Sequence, residues 1–141
     1  MGIMRSISQT VRAYTLFKEQ RLGQYGLAGN QSLYLRVIIQ QPGISQDELA
    51  EKLVFNKSSV SRQVAALEKA GLVRQERSQR DKRSMQVYAT PEGEALLPAI
   101  LETSKEYFSI ITAELTPEER TLLDELCQKV CRKAKEAIRE K

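Results

Sequence analysis

The sequence predicts a mainly α-helical fold interrupted once by a small β-hairpin. Three observations predict it. Apolar residues recur at helical spacing in six segments. Two short segments past the middle alternate apolar and polar residues around a wholly polar, basic connection. Good cap residues, among them Ser45, Asn56, Thr90 and Thr116, stand where helices should begin. At 141 residues and 16.0 kDa, the chain has the size of one domain.

Each element follows in order. Ile7, Val11, Tyr14 and Phe17 make the apolar stripe of a first helix that ends before about residue 25. A second helix, 31–41, is apolar on much of its girth and ends at Gln41-Pro42-Gly43. Ser45 and Glu48 form a capping box for a short third helix, 46–53, in which Leu49, Ala50 and Leu53 point inward. After a break at Val54-Phe55, Asn56 caps a fourth helix that ends at Gly71. Strands are expected at 72–77 and 85–89, joined by a solvent-facing tip at 78–84. Thr90-Pro91 opens one long helix expected to run unbroken to about Ala113. Thr116, with Glu119 at N3, opens the last one, whose stripe is Leu123, Cys127, Val130, Ala134 and Ile138.

Composition excludes much chemistry. There is no His, so the commonest general base and metal ligand are missing. Cys127 and Cys131 are the only thiols, too few for a four-ligand Cys/His zinc site, and they read as small hydrophobes rather than as a sensor. No nucleophile with its base and no nucleotide-binding glycine motif is visible, so no enzyme and no cofactor are expected. No apolar run approaches ~18 residues and no signal-like segment is seen, so a cytoplasmic chain with no membrane partner is expected.

Charge placement is more telling than its total of +4. Residues 56–83 carry eight basic and three acidic side chains, a net +5, and the remaining 113 residues sum to −1. A positive patch on a nearly neutral body is the footprint of a polyanion partner. The fourth helix supplies a surface for it. At about 100° per residue, Val60, Val64 and Leu67 fall on one side, and Ser58, Ser61, Arg62 and Ala65 on the other. Short hydroxyl side chains let a backbone approach the major groove of DNA, and Arg can fork onto guanine O6 and N7. The third and fourth helices make a helix-turn-helix. The tip from Arg77 to Arg83 adds cations suited to the negative potential of a narrow minor groove.

Five segments then resemble one family: Leu49-Ala50-Glu51-Lys52-Leu53, Ser58-Ser59-Val60-Ser61-Arg62, Leu67-Glu68-Lys69-Ala70-Gly71-Leu72-Val73, Asp81-Lys82-Arg83 and Ala89-Thr90-Pro91-Glu92-Gly93. Together they are similar to the multiple-antibiotic-resistance regulator (MarR) family of bacterial winged-helix transcription factors, over roughly residues 27–97. Over the outer helices only the layout is similar. Ala28 and Ala89 depart from the family's usual Thr and Leu.

The resemblance implies a winged helix-turn-helix at 28–95 within a single domain of 1–141, flanked by dimerisation helices at 1–25 and 96–141. It implies a homodimer on double-stranded DNA, with affinity reduced by a small-molecule or oxidant effector. Asn56, Lys57, Ser58, Ser59, Ser61, Arg62 and Gln63 match the recognition-helix start. Asp81 and Arg83 match a wing pair in which the acid orients the Arg, with Arg77, Arg80 and Lys82 as further cations. Ser45 matches a helix start that meets phosphate. The expectation is a repressor that reads a pseudo-palindromic operator; the alternative is a winged helix used for protein contact without specific DNA binding.

Overall fold

A computed structural model describes residues 2–139 of the chain. Residues 1, 140 and 141, which the expected domain boundaries include, lie outside the described residues. Helix α1 (Ile3–Leu22) runs into a single 3-10 turn at Gly23–Tyr25, and α2 (Gln31–Gln40), β1 (Ile44–Ser45), α3 (Gln46–Leu53) and α4 (Lys57–Lys69) follow. The hairpin is β2 (Val73–Arg77) and β3 (Met85–Ala89), after which come α5 (Pro91–Glu94), α6 (Leu97–Ile111) and α7 (Pro117–Arg139). A mainly helical chain with one small antiparallel wing is therefore what folds.

One compact unit extends to Lys105 and a second begins at Glu106. In the first, apolar faces of α2, α3 and α4 meet over the sheet, where Leu35, Ile38, Leu49, Val60, Val64 and Val87 are fully buried. Val60, Val64 and Leu67 are the inner face of α4, as their spacing requires. Phe55 stacks on the buried Tyr34 ring, with centroids 5.6 Å apart.

Two elements differ from expectation. The first is an extra strand. Gly43 turns with φ at +85° and donates its N–H to Val87 O at 2.9 Å, and Ile44 then pairs with Val87, giving a three-stranded antiparallel sheet of order β1-β3-β2. Two residues show no alternation, so periodicity cannot reveal the strand.

The second is a broken helix. The helix opened by Thr90-Pro91 stops at Glu94, and α6 restarts at Leu97, so the expected continuous span to Ala113 is wrong. Pro98 is the cause: it has no N–H for the carbonyl of Glu94, and its ring would crowd that carbonyl.

The short α5 is fastened to the end of α4. Thr90 accepts at Oγ1 from Gly93 N (3.1 Å) and donates from Oγ1 to Gly71 O (2.7 Å), while its N–H donates to Leu72 O (3.0 Å). Gly93 is required by contact: a Cβ there would lie 2.1 Å from Leu72 O.

In the second unit, the expected capping box forms. Thr116 Oγ1 accepts from Glu119 N at 3.1 Å, and Glu119 Oε1 accepts from Thr116 N at 2.9 Å. Arg120 donates from Nε and Nη2 to Thr112 O, closing the carbonyl end of α6. Leu122, Leu123, Leu126, Val130 and Ile138 on α7 remain 47–60% exposed. Cys127 and Cys131 are exposed free thiols on the same helix.

Candidate nucleic-acid interface

The turn between α3 and α4 is short because Val54 takes a left-handed conformation, φ +59°, the one positive φ among the described non-glycine residues. Ser45 caps α3: its Oγ accepts from Glu48 N at 3.0 Å, and Glu48 Oε1 accepts from Ser45 N at 3.0 Å. Asn56 caps α4, its Oδ1 accepting from Ser59 N (2.8 Å) and from the Ser58 hydroxyl (2.7 Å). The cap uses only the Asn56 oxygen; the amide nitrogen carries two further donor hydrogens.

Of the recognition-helix residues, Asn56, Lys57, Ser58, Ser61 and Arg62 are exposed, whereas Ser59 and Gln63 are half-buried on its flank. Arg62 donates from Nη2 to Ser59 Oγ at 3.2 Å, which steadies the guanidinium beside its helix. Burial pushes the Tyr34 hydroxyl pKa up, and the positive charge of Arg62 opposes the shift. Lys57 pairs with Asp47 of α3 at 3.1 Å.

The wing tip is ordered by its own polar groups. Ser78 N donates to Ser84 O at 2.9 Å, and Ser78 Oγ accepts from the amides of Arg80 and Asp81, each at 3.2 Å. Asp81 Oδ1 accepts from Arg83 N at 3.0 Å, with Arg83 Nε 3.7 Å from the same oxygen. Arg77 behaves differently from its neighbours: it donates from Nη1 to Lys82 O and so braces the tip. Arg80, Lys82 and Arg83 are exposed. Arg74, also in the basic window, stacks on Tyr88 instead, 4.4 Å from the ring centroid.

Helix and wing open onto one space. A cleft of about 300 Å³ is lined by Gln46 and Asp47 of α3, Lys57 and Ser61 of α4, and Arg83, Ser84 and Met85 at the wing base. Residues from both expected contact elements thus share a single face.

Sequence reasoning missed a chain of polar side chains beside that cleft. The Ser61 hydroxyl donates to Gln46 Oε1 (2.7 Å), Gln46 Nε2 donates to Gln75 Oε1 (2.7 Å), and Gln75 Nε2 donates to Glu68 Oε1 (3.1 Å). It ties α3, α4 and β2 together. Gln46 and Gln75 are 29 positions apart, so no local signal could have joined them. Among the described residues, no group of three or more His, Cys, Asp or Glu side chains is placed to hold a metal.

Comparison with known proteins gives the same picture. A sequence model described as MarR family matches residues 25–84. The transcriptional regulator HosA of Escherichia coli O157:H7 is 34% identical over 96 residues, 68% of this chain and 71% of that protein. The crystal structure of MarR covers 100% of this chain and 96% of its own, with a TM-score of 0.90 and 26% identity. A Listeria monocytogenes protein crystallised with 26mer DNA covers 97% of this chain and 91% of its own, with a TM-score of 0.91 and 25% identity.

Proposed function

This chain belongs to the MarR family of winged helix-turn-helix regulators, and on that premise we propose that it is a sequence-specific DNA-binding repressor. A homodimer grips a pseudo-palindromic operator, and a small-molecule or oxidant effector releases it. The protein acts in the cytoplasm; among the described residues no helix is long and apolar enough to cross a membrane.

The single observation that carries this proposal is the cleft that α4 shares with the wing base. With Lys57 and Ser61 on one wall and Arg83 on the other, a duplex can meet the helix in its major groove and the wing in the adjacent minor groove. Residues 28–95 form the reading lobe. Asn56, Lys57, Ser58, Ser61 and Arg62 face the groove, with Ser59 and Gln63 at its edge. Arg80, Lys82 and Arg83 neutralise phosphate, Asp81 orients Arg83, and Arg77 holds the tip. Ser45 and the amides that begin α3 lie against the backbone.

Residues 1–25 and 96–141 supply the dimer contact. Ile3, Met4, Ile7 and Val11 on α1 are 37–66% exposed, and the α7 stripe is similarly open. Covering each such side chain is worth roughly 1.5–3 kcal/mol. A two-fold pair covers both helices with a second copy of themselves.

The test is selection from a random duplex pool, followed by affinity measured against salt. A regulator of this kind selects a two-fold repeated sequence and loses roughly 10³–10⁵ in affinity between 50 and 200 mM salt. Weak binding that is indifferent to sequence, with little dependence on salt, would sink the proposal in favour of a protein-contact module.

A further inference from the structure

We propose that Ser61 reads a base amino group in the major groove, adenine N6 or cytosine N4, and that Glu68 imposes that choice through Gln75 and Gln46. The inference rests on the DNA-binding function proposed above.

A serine hydroxyl is ambivalent toward bases, since it can donate its one hydrogen or accept with its lone pairs. Here the ambivalence is removed. A carboxylate only accepts, so Gln75 must turn its amide nitrogen to Glu68 Oε1, 3.1 Å away. The Gln75 oxygen is then the end that meets Gln46, and Gln46 must present its nitrogen there, at 2.7 Å. Gln46 thus has only its oxygen to offer Ser61, and the hydroxyl donates to it at 2.7 Å. One acceptor-only group fixes the direction of every bond in the chain.

The geometry keeps the result on the binding face. Ser61 and Glu68 are both exposed on α4, about two helical turns apart on one side. Gln46 and Gln75 are half-buried, held by α3 and β2. With its hydrogen committed to Gln46, Ser61 Oγ presents only lone pairs to the cleft it lines with Lys57 and Arg83. Lone pairs match the amino hydrogens of adenine N6 or cytosine N4, and they are repelled by guanine O6 and N7 and by thymine O4. Gln46, Gln75 and Glu68 are positioning residues: they act on the base only through Ser61.

The experiment selects binding sites from a random duplex pool and then measures affinity on single-base variants of the selected site. It compares the full-length wild type with Ser61→Ala, Gln75→Met and Glu68→Gln. The selected site should hold adenine or cytosine at one half-site position where Ser61→Ala loses about three- to tenfold discrimination, the size of one hydrogen bond. Gln75→Met and Glu68→Gln free the Gln46 amide to reverse, so both should relax that same position toward guanine and thymine and leave the other positions discriminated.

Glu68→Gln also removes a negative charge and tightens binding on every sequence. Gln75→Met changes no charge, so relaxation shared by both variants identifies the relay. Thermal melting confirms that each variant is folded, and Glu68→Gln, an exposed isosteric change, keeps the test alive if Gln75→Met does not fold. Unchanged discrimination at every position in Ser61→Ala, or wild-type base preferences in a folded relay variant, would overturn the proposal. A wild type that selects no sequence overturns the functional proposal, and this one with it.

Discussion

The ammonium of Lys57 lies 3.1 Å from Oδ1 of Asp47, and both side chains line the cleft beneath the wing. The pair is open to solvent, 78% and 70% exposed, so it stabilises the fold little. On the proposed function its effect would fall on binding: Asp47 would place a like charge near DNA phosphate and hold back the Lys57 cation that meets it. Asp47→Asn should tighten binding to all sequences by about fivefold, the scale of one screened charge interaction, and steepen the salt dependence. Anisotropy titrations at several salt concentrations measure both. Unchanged affinity and slope would place Asp47 away from the backbone, and weaker binding would make it a positioning partner of Lys57.

Arg62 is exposed on α4 and steadied by Ser59. Arg62→Ala should cost about 1–3 kcal/mol on the preferred site and relax preference at one position. Loss of affinity that is equal on all sequences would make Arg62 a phosphate contact instead.

Arg83 makes the opposite case. Its side chain is 96% exposed beside Asp81 on the wing. Arg83→Ala should weaken binding almost uniformly across sequences and lower the salt slope by about one for each bound wing. Wild-type affinity and slope together would remove the wing from the interface.

Gly93 packs directly on the Leu72 carbonyl, which also accepts from Thr90 N. Gly93→Ala forces two backbone segments apart. A loss of about 3 kcal/mol and a melting temperature lower by roughly 10 °C are expected. A wild-type melting curve would show that the joint yields without cost.

Lys18 is buried at 6% exposure, 3.3 Å from Asn30 Oδ1 and 4.4 Å from the Tyr14 ring centroid, and burial pushes its pKa down. The unfolded chain therefore binds this proton more tightly than the fold does. Stability carries the full penalty below the lowered pKa and recovers as pH rises through it toward the ordinary lysine value. Lys18→Met should add about 1 kcal/mol at pH 7 and remove that alkaline recovery. Urea melts at neutral and alkaline pH decide it; a less stable variant with the recovery intact would refute the account.

Signals confined to a few residues were legible in the sequence. Ser45 with Glu48, Asn56, and Thr116 with Glu119 announced their helices because a cap is a contact within one turn. The two faces of α4 followed from spacing alone. Pro98 was equally local, and the break it causes could have been read. What stayed hidden depends on distant partners. Ile44 becomes a strand only because Val87 lies beside it. Gln46, Gln75 and Asp47 look like ordinary surface residues until folding sets them around Ser61 and Lys57. Lys18 continues the stripe of Ile7, Val11 and Tyr14, but its residue type masks an inward position.

Val54 holds the turn between α3 and α4 at a positive φ. A β-branched side chain has a narrow, costly well at positive φ, so this three-residue link works as a detent and not as a swivel. The crossing of α3 and α4 is set during folding, before any duplex arrives. A glycine at that position would relieve the torsional cost, and the helix would then have to find its angle at the moment of docking, with an entropic loss that the wild-type turn has already absorbed.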